Sequence, residues 1–403
     1  MQPAARLYWL LPFVVASIAC SDGAAPKTTP TTPAATVDLT VPTTADISAG
    51  AFPIEAFADI SEDPVTNEMA IEFQAILDDM ASGGGMTATV MTADGTWSGA
   101  SGSADGVRDL QVDDQFFIAS ITKSVVAAQV MLMVEAGEFS LDDLAVDYLP
   151  VDFDFDTNQA TIRQLLAQRS GIPDYFHLIW NDLATDRLRR WTTAEVLDVA
   201  GDVRSPVDET FQYTDTNYVL LGLIIEHLRG RPIAEVLRDG ALDVDGIERL
   251  VYQPAERPTE PMAMPGGGSV AALELGGGYL PSIASATAGG PAAAIASDSP
   301  SLANWWRAFC AGEIVSQASL SEMSTLVERP SIGEWAPTGG YGLGLYNVAD
   351  PYAHAVGHTG VDIGFMAWAA CLPEDGAVVV VLMNHHVDLG TFARPLVDAL
   401  DSD

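Results

Sequence analysis

Basic residues are scarce in this chain. Of 403 residues only 18 are basic against 55 acidic, a net charge of −37 at pH 7. Nothing here replaces the cations condensed on phosphates, so nucleic acid and other polyanions are excluded as partners. Acidity on this scale speaks to solubility, not to fold. Lysine is rarer still: Lys27 and Lys123 stand against sixteen arginines, so each lysine asks for a reason. Cysteine is limited to Cys20, Cys310 and Cys371. Metal-ligand spacing is missing too. The alternation Asp152, Asp154, Asp156 lacks the glycine and terminal glutamate of a calcium loop and reads as a solvated loop, while His385 and His386 read as surface side chains. What the chain does have is apolar mass. With 48% hydrophobic and 18% charged residues it is a globular sequence, long enough to bury a sizeable core.

The address lies at the N-terminus. In residues 1–20, MQPAARLYWLLPFVVASIAC, Arg6 precedes an apolar run of about thirteen residues that is too short to span a bilayer and has the form of a secretory signal. Cleavage before Cys20 would leave a lipid-bearing cysteine, although Ser17 is an imperfect start for that motif. An exported lipoprotein of the cell envelope is therefore expected, with a plain secretory signal as the alternative. Residues 21–61 are rich in Thr, Pro and Ala and read as a disordered tether, so the folded body is expected over 62–403. In an oxidising compartment Cys310 and Cys371 have two readings, a disulfide or two separate buried thiols, and the thiols are the expectation.

Residues 86–101 show two β-rich runs around Asp94-Gly95, a hairpin signal. A helix that is apolar on most faces follows Ser120 and ends at Gly137. Residues of about 138–290 carry helix-like segments broken by Pro and Gly, and strand signals return only in YGLGLYNV, AHAVGH, GFMAWAACL and AVVVVLMNH, before a last helix near 389–400. The expected class is α/β, more narrowly α+β: an antiparallel sheet built from both chain ends, flanked by helices, with a mostly helical insertion. The cleft should lie between sheet and insertion.

Three elements could carry chemistry. Ser120 and Lys123 are three residues apart, hence neighbours on one helix face; a serine hydroxyl needs a base beside it to become a nucleophile, and a buried amine is a rare thing to keep without purpose. Tyr213-Thr214-Asp215 stands at the start of a helix-like segment and reads either as a cap with a packed ring or as a phenol able to shuttle a proton. Gly357-His358-Thr359-Gly360 sits at the end of one expected strand, before another beginning at Gly364; its glycines admit close approach and Thr359 offers a hydrogen bond.

In this order the three elements resemble the serine hydrolases related to class C β-lactamases, which include D-alanyl-D-alanine carboxypeptidases, penicillin-binding proteins and esterases. Phe117-Ile118-Ala119 before the serine, GEFSLDDLAVDYLP from Gly137, TIRQLLAQRSGIPDY from Thr161, YGLGL from Tyr341 and GHTGVDIGF from Gly357 extend the resemblance over about residues 64–400. It implies a β-lactamase/transpeptidase-like fold and an acyl-enzyme mechanism. Ser120 attacks a carbonyl, Lys123 and Tyr213 handle its proton, and the backbone N–H groups of Ser120 and Val361 form the oxyanion hole. Asp215, His358, Thr359 and Gly360 would contact substrate, a small molecule or peptide. No metal or organic cofactor is implied; the protein would act as a monomer and meet the membrane only through its N-terminal lipid.

Two departures bear on substrate. Asp215 replaces the asparagine of many relatives and can only accept hydrogen bonds when ionised. Near Lys123 it would stabilise the ammonium form, leaving Tyr213 as proton acceptor, and Asp215→Asn would then improve turnover of amides or lactams. His358 replaces the lysine of β-lactamases and weakens carboxylate anchoring. Both changes disfavour small anions such as penicillins, so esterase or D-alanyl peptidase activity is expected ahead of β-lactamase activity. The rival reading is a non-catalytic lipoprotein that keeps the fold as a binding module. Gln168 stands where relatives carry histidine, a change for which the sequence offers no account.

Overall fold

The computed structural model describes residues 51–400 apart from 82, 203, 209–210, 268–272, 328–339, 350–353 and 388–391. The expected signal segment, Cys20 and the tether up to residue 50 lie outside the described residues. The end of the expected tether does not behave as one. Phe52 and Phe57 are buried with their rings stacked 5.9 Å apart, and Gln317 and Ser321 hydrogen-bond the backbone of Phe52. Two aromatic side chains, each contributing about 2–3 kcal/mol on burial, fix a stretch whose other residues are too small to do so. The folded body therefore includes residues ahead of the expected start at 62, Phe52 and Phe57 among them.

After α1 (Asn67–Met80) come the hairpin strands β1 (Gly85–Thr92) and β2 (Gly95–Gly102), then β3 (Phe116–Phe117) and α2 (Thr122–Glu135). The expected helical insertion holds α3 (Ile162–Leu166), α4 (Phe176–Thr185), α5 (Thr193–Ala200), α6 (Thr216–Arg229), α7 (Ile233–Arg238), the short strand β4 (Val251–Tyr252) and α8 (Ile283–Gly289). Then follow β5 (Ile295–Ser297), α9 (Ser299–Cys310), α10 (Gln317–Met323), β6 (Tyr346–Asn347), β7 (Val356–Asp362), β8 (Phe365–Leu372), β9 (Ala377–Met383) and α11 (Arg394–Asp398).

The main sheet has the order β2-β1-β9-β8-β7-β6 with every neighbour antiparallel, so its centre joins the first strand to the last. Every residue of β1, β8 and β9 is buried, which explains their unbroken apolar sequences: both faces of these strands are covered. On one face lies α9, amphipathic and anchored by the buried Trp305, Trp306 and Phe309; on the other lie α1 and α11, with Phe73 of α1 packed 5.5 Å from Trp97 of β2. Strands β3, β5 and β4 make a second small sheet.

Two expectations are corrected here, and a third in part. Cys310 and Cys371 form a disulfide between the end of α9 and β8, with Cα atoms 6.6 Å apart, because the helix lies flat across the sheet at that point. Gly357–Gly360 lies inside β7 and not at a strand end: glycine belongs there because a side chain at either position would collide with backbone, with the Ala369 carbonyl at Gly357 and the Ile118 carbonyl at Gly360. His386 is exposed, as a surface side chain should be, and its Nε2–H donates to the Asp362 carbonyl 2.8 Å away, whereas His385 is half-buried against Gly84.

Candidate active site

The chain leaves β3, where the Ile118 N–H donates to the Ile295 carbonyl, and reverses at Ala119, whose φ of +46° is a conformation that costs a non-glycine residue about 1–2 kcal/mol. This strained corner presents Ser120 at the lip of α2, partly exposed, in a three-ten turn over Ala119–Ile121. One turn beyond Ser120, Lys123, the second residue of α2, is wholly buried. Its Nζ lies 3.0 Å from Ser120 Oγ, 2.5 Å from Asp215 Oδ1 and 3.1 Å from the Ala292 carbonyl, and 4.9 Å from the centre of the Tyr213 ring. The Tyr213 phenol is close enough to Ser120 for the serine hydroxyl to act on its proton affinity. The hydroxyl, amine and phenol, ninety residues apart in the extreme, thus converge.

The segment carrying Tyr213 and Asp215 has no regular structure of its own and is held by residues 168–174. Gln168, at φ +60°, accepts from the Thr214 N–H through Oε1 at 3.1 Å and from Asn217 Nδ2 at 2.8 Å, and its carbonyl accepts from the Gln212 N–H. Asp174 Oδ1 accepts from the Asp215 N–H at 2.8 Å, and Thr216 Oγ1 donates to the Pro173 carbonyl. Gln168, which the sequence left unexplained, and Asp174, which it missed, are therefore clamps for the site. Their signal was the AQRSGIPDY run, readable as a motif but not as a pair of anchors.

The third element approaches from the sheet. Strand β6 covers only Val356 and Gly357 of β7, and beyond it Gly360 packs against the Ile118 carbonyl, beside the turn that holds Ser120. His358 and Thr359 are buried: the His358 ring sits 5.0 Å from that of Tyr346 and 6.2 Å from that of Tyr213, with Nε2 3.3 Å from Tyr341 Oη and Nδ1 2.6 Å from the Thr359 carbonyl. Thr359 Oγ1 bonds Tyr346 Oη. The histidine forms a wall of aromatic contacts.

Electrostatics divide the site. Burial, and then the negative charge of Asp215, push the Tyr213 phenol well above its ordinary range, while the Ser120 hydroxyl pulls the other way. A phenol held in this way keeps its proton at rest, which weighs against Tyr213 as the proton acceptor. Burial and the Asp215 charge likewise raise the Asp174 carboxyl. Asp362, the residue after Val361, is fully buried, and burial pushes its carboxyl up to about 7. Its Oδ1 accepts from the Ile363 N–H at 2.5 Å and lies 3.4 Å from Ser285 Oγ, while its Oδ2 has no partner among the described residues. Among the described residues no cluster of three or more His, Cys, Asp or Glu side chains is placed to hold a metal ion.

Comparisons with known proteins bear on the fold and the family. Penicillin-binding protein 4 of Amycolatopsis lactamdurans is 35% identical over 147 residues, 36% of this chain and 38% of the relative; protein flp of Staphylococcus aureus strain MW2 is 27% identical over 128 residues, 31% of this chain and 25% of the relative. The matches thus span well under half the length of these relatives. Among solved structures, D-amino acid amidase from Ochrobactrum anthropi SV3 complexed with D-phenylalanine superposes with a TM-score of 0.71 at 22% identity, covering 83% of this chain and 99% of the amidase. The octameric penicillin-binding protein homologue from Pyrococcus abyssi superposes with a TM-score of 0.67 at 22% identity, covering 83% and 77%. Likeness at this identity establishes the fold. The sequence model of the Beta-lactamase family matches residues 73–400; the fold is β-lactamase/transpeptidase-like, and this chain belongs to the Beta-lactamase family.

Proposed function

We propose that the chain is an envelope-bound serine hydrolase that forms an acyl-enzyme on Ser120 and hydrolyses an ester or an amide. The observation that carries the reading is the 3.0 Å contact between Ser120 Oγ and a fully buried Lys123 Nζ, since an amine kept dry beside a hydroxyl serves nucleophile activation better than stability. Ser120 attacks the carbonyl carbon, and the negative charge that develops is met by the N–H groups of Ser120 and Val361. The resting Tyr213 phenol, beside Ser120, would hand a proton to the leaving group as the tetrahedral intermediate collapses. Water then releases the acyl group. Thr359 and Gly360 line the floor on the sheet side.

The substrate is uncharged or cationic in its acyl part. Asp215 and Asp362 lie near enough for the charge of one to raise the other, His358 is locked in aromatic contacts, and the net charge repels anions. A D-alanyl peptide, a D-amino acid amide or a neutral ester suits these surroundings better than a penicillin. One chain carries all the groups the mechanism needs, so a monomer would suffice, and Cys20 would tether it to the membrane. The test is to incubate the full chain and Ser120→Ala with a fluorophosphonate, a nitrophenyl ester, a D-alanyl-D-alanine peptide and a penicillin, then weigh the intact protein. A mass gain that disappears in Ser120→Ala is expected with the first two; no gain with any reagent would leave a binding module.

A further inference from the structure

Counting the hydrogens on Lys123 leads beyond the shared serine–lysine–tyrosine scheme. An ammonium has three N–H donors and no lone pair, and Nζ has three acceptors around it: Ser120 Oγ, Asp215 Oδ1 and the Ala292 carbonyl. Fully engaged in this way, it has no capacity to take the Ser120 proton. It must first give one of its own away. The Ala292 carbonyl is no base, Ser120 is the proton's source, and Tyr213 is already protonated. Only the Asp215 carboxylate, 2.5 Å from Nζ, is able to receive it.

We propose that Ser120, Lys123 and Asp215 form a proton relay in which Asp215 is the terminal acceptor. The proposal rests on the hydrolase reading. As Ser120 Oγ bonds to the substrate carbonyl carbon, the hydroxyl proton passes to Nζ while a different Nζ proton passes to Oδ1. The lysine stays an ammonium, the carboxylate becomes a carboxylic acid, and the carbonyl oxygen takes up the electron pair. On collapse Tyr213 protonates the leaving group, and the phenolate regains a proton as Asp215 gives up the one it took, so the site ends as it began. The contacts that fix Asp215 serve this purpose: its N–H is held by Asp174 Oδ1, and the residue itself is 5% exposed, so that water does not compete for the proton. The charged and titratable groups facing it are Lys123 on α2, Asp174 and Tyr175 at the start of α4, Tyr213 on its own segment and Asp362 at the end of β7.

The relay reverses the expectation that Asp215→Asn speeds amide turnover. In single-turnover acylation of the full chain by a nitrophenyl ester, Asp215→Asn should slow the step at pH 7 by about 100-fold or more with KM little changed. The acid limb of its pH–rate profile should move to higher pH, because an amine without the carboxylate must first lose its proton to water. Asp215→Glu should recover part of the rate. Wild-type rates in mixtures of light and heavy water supply a measurement independent of any variant: two protons in flight give a curved dependence on deuterium fraction. A linear plot, or an Asp215→Asn enzyme that acylates at the wild-type rate with an unmoved profile, overturns the relay while the hydrolase reading stands. Failure of the wild-type chain to acylate at all overturns both.

Discussion

A methyl group at residue 360 should disable this protein while leaving it folded. The Cβ of Gly360→Ala would lie 2.0 Å from the Ile118 carbonyl oxygen, 2.9 Å from the Ile118 carbonyl carbon and 3.2 Å from Ala119 Cβ, where ordinary contact begins at 3.4 Å. Both obstacles nearest to it are backbone, so β7 and the nucleophile's turn must part by about 1 Å or more. Misplacement of that size at a reacting centre costs about 100-fold, and withdrawal of one oxyanion donor costs about 3 kcal/mol, which is the same factor. The expected result is a kcat/KM for a nitrophenyl ester about 100-fold lower, mostly in kcat, with unfolding free energy reduced by about 1–3 kcal/mol from overpacking. Gly357→Ala is the comparison: its Cβ meets the Ala369 carbonyl at 2.1 Å, which strains the same strand against β8 and away from Ser120. Retention of activity within threefold by Gly360→Ala, or an equal loss in Gly357→Ala, refutes the reasoning.

Two further predictions concern stability. The Cys310–Cys371 disulfide spans 61 residues of sequence, and the chain-entropy relation gives about 4 kcal/mol for a loop of that size, so Cys310→Ala with Cys371→Ala should unfold that much more easily in denaturant; a difference under about 1 kcal/mol would sink the estimate. Asp362 makes stability depend on pH. Its carboxyl is raised in the fold from 3.8 to about 7, so the native state binds the extra proton between those values. The contribution is complete below about pH 4 and fades as pH rises through about 7, by about 4 kcal/mol in all. Asp362→Asn should abolish that slope and outlast the wild type at pH 8; parallel stability curves between pH 5 and 8 would show the buried acid has no such effect.

Ser120, Lys123 and Tyr213 were legible because their chemistry is tied to short spacings and their order to a family pattern, and β8 and β9 because strands covered on both faces must be apolar throughout. Other features were hidden for physical reasons. Phe52 and Phe57 sit in a composition that promises disorder, and only their shared pocket shows otherwise. Glycines at 357 and 360 broke the strand signal of β7 at the very positions where backbone crowding requires them. The role of Gln168 depends on Thr214 and Asn217, more than forty residues away, and that of Asp362 on Ser285, a partner no spacing reveals. Asp215 was visible as a departure from relatives, but a substrate contact and a proton acceptor look alike in sequence; the proposed relay draws on three distances around one nitrogen, which sequence does not carry.

The pairing of β1 with β9, Met86 opposite Met383, sets the timetable of biogenesis. The amino-terminal hairpin is synthesised first, yet one edge of β1 stays open until the last strand has left the ribosome, because no other segment occupies that place in the ladder. Native closure must wait for the complete polypeptide, so the chain stays threadable for as long as translation lasts. A product that stops short of Ala377 exposes an apolar strand with unmet hydrogen bonds and should aggregate or be degraded.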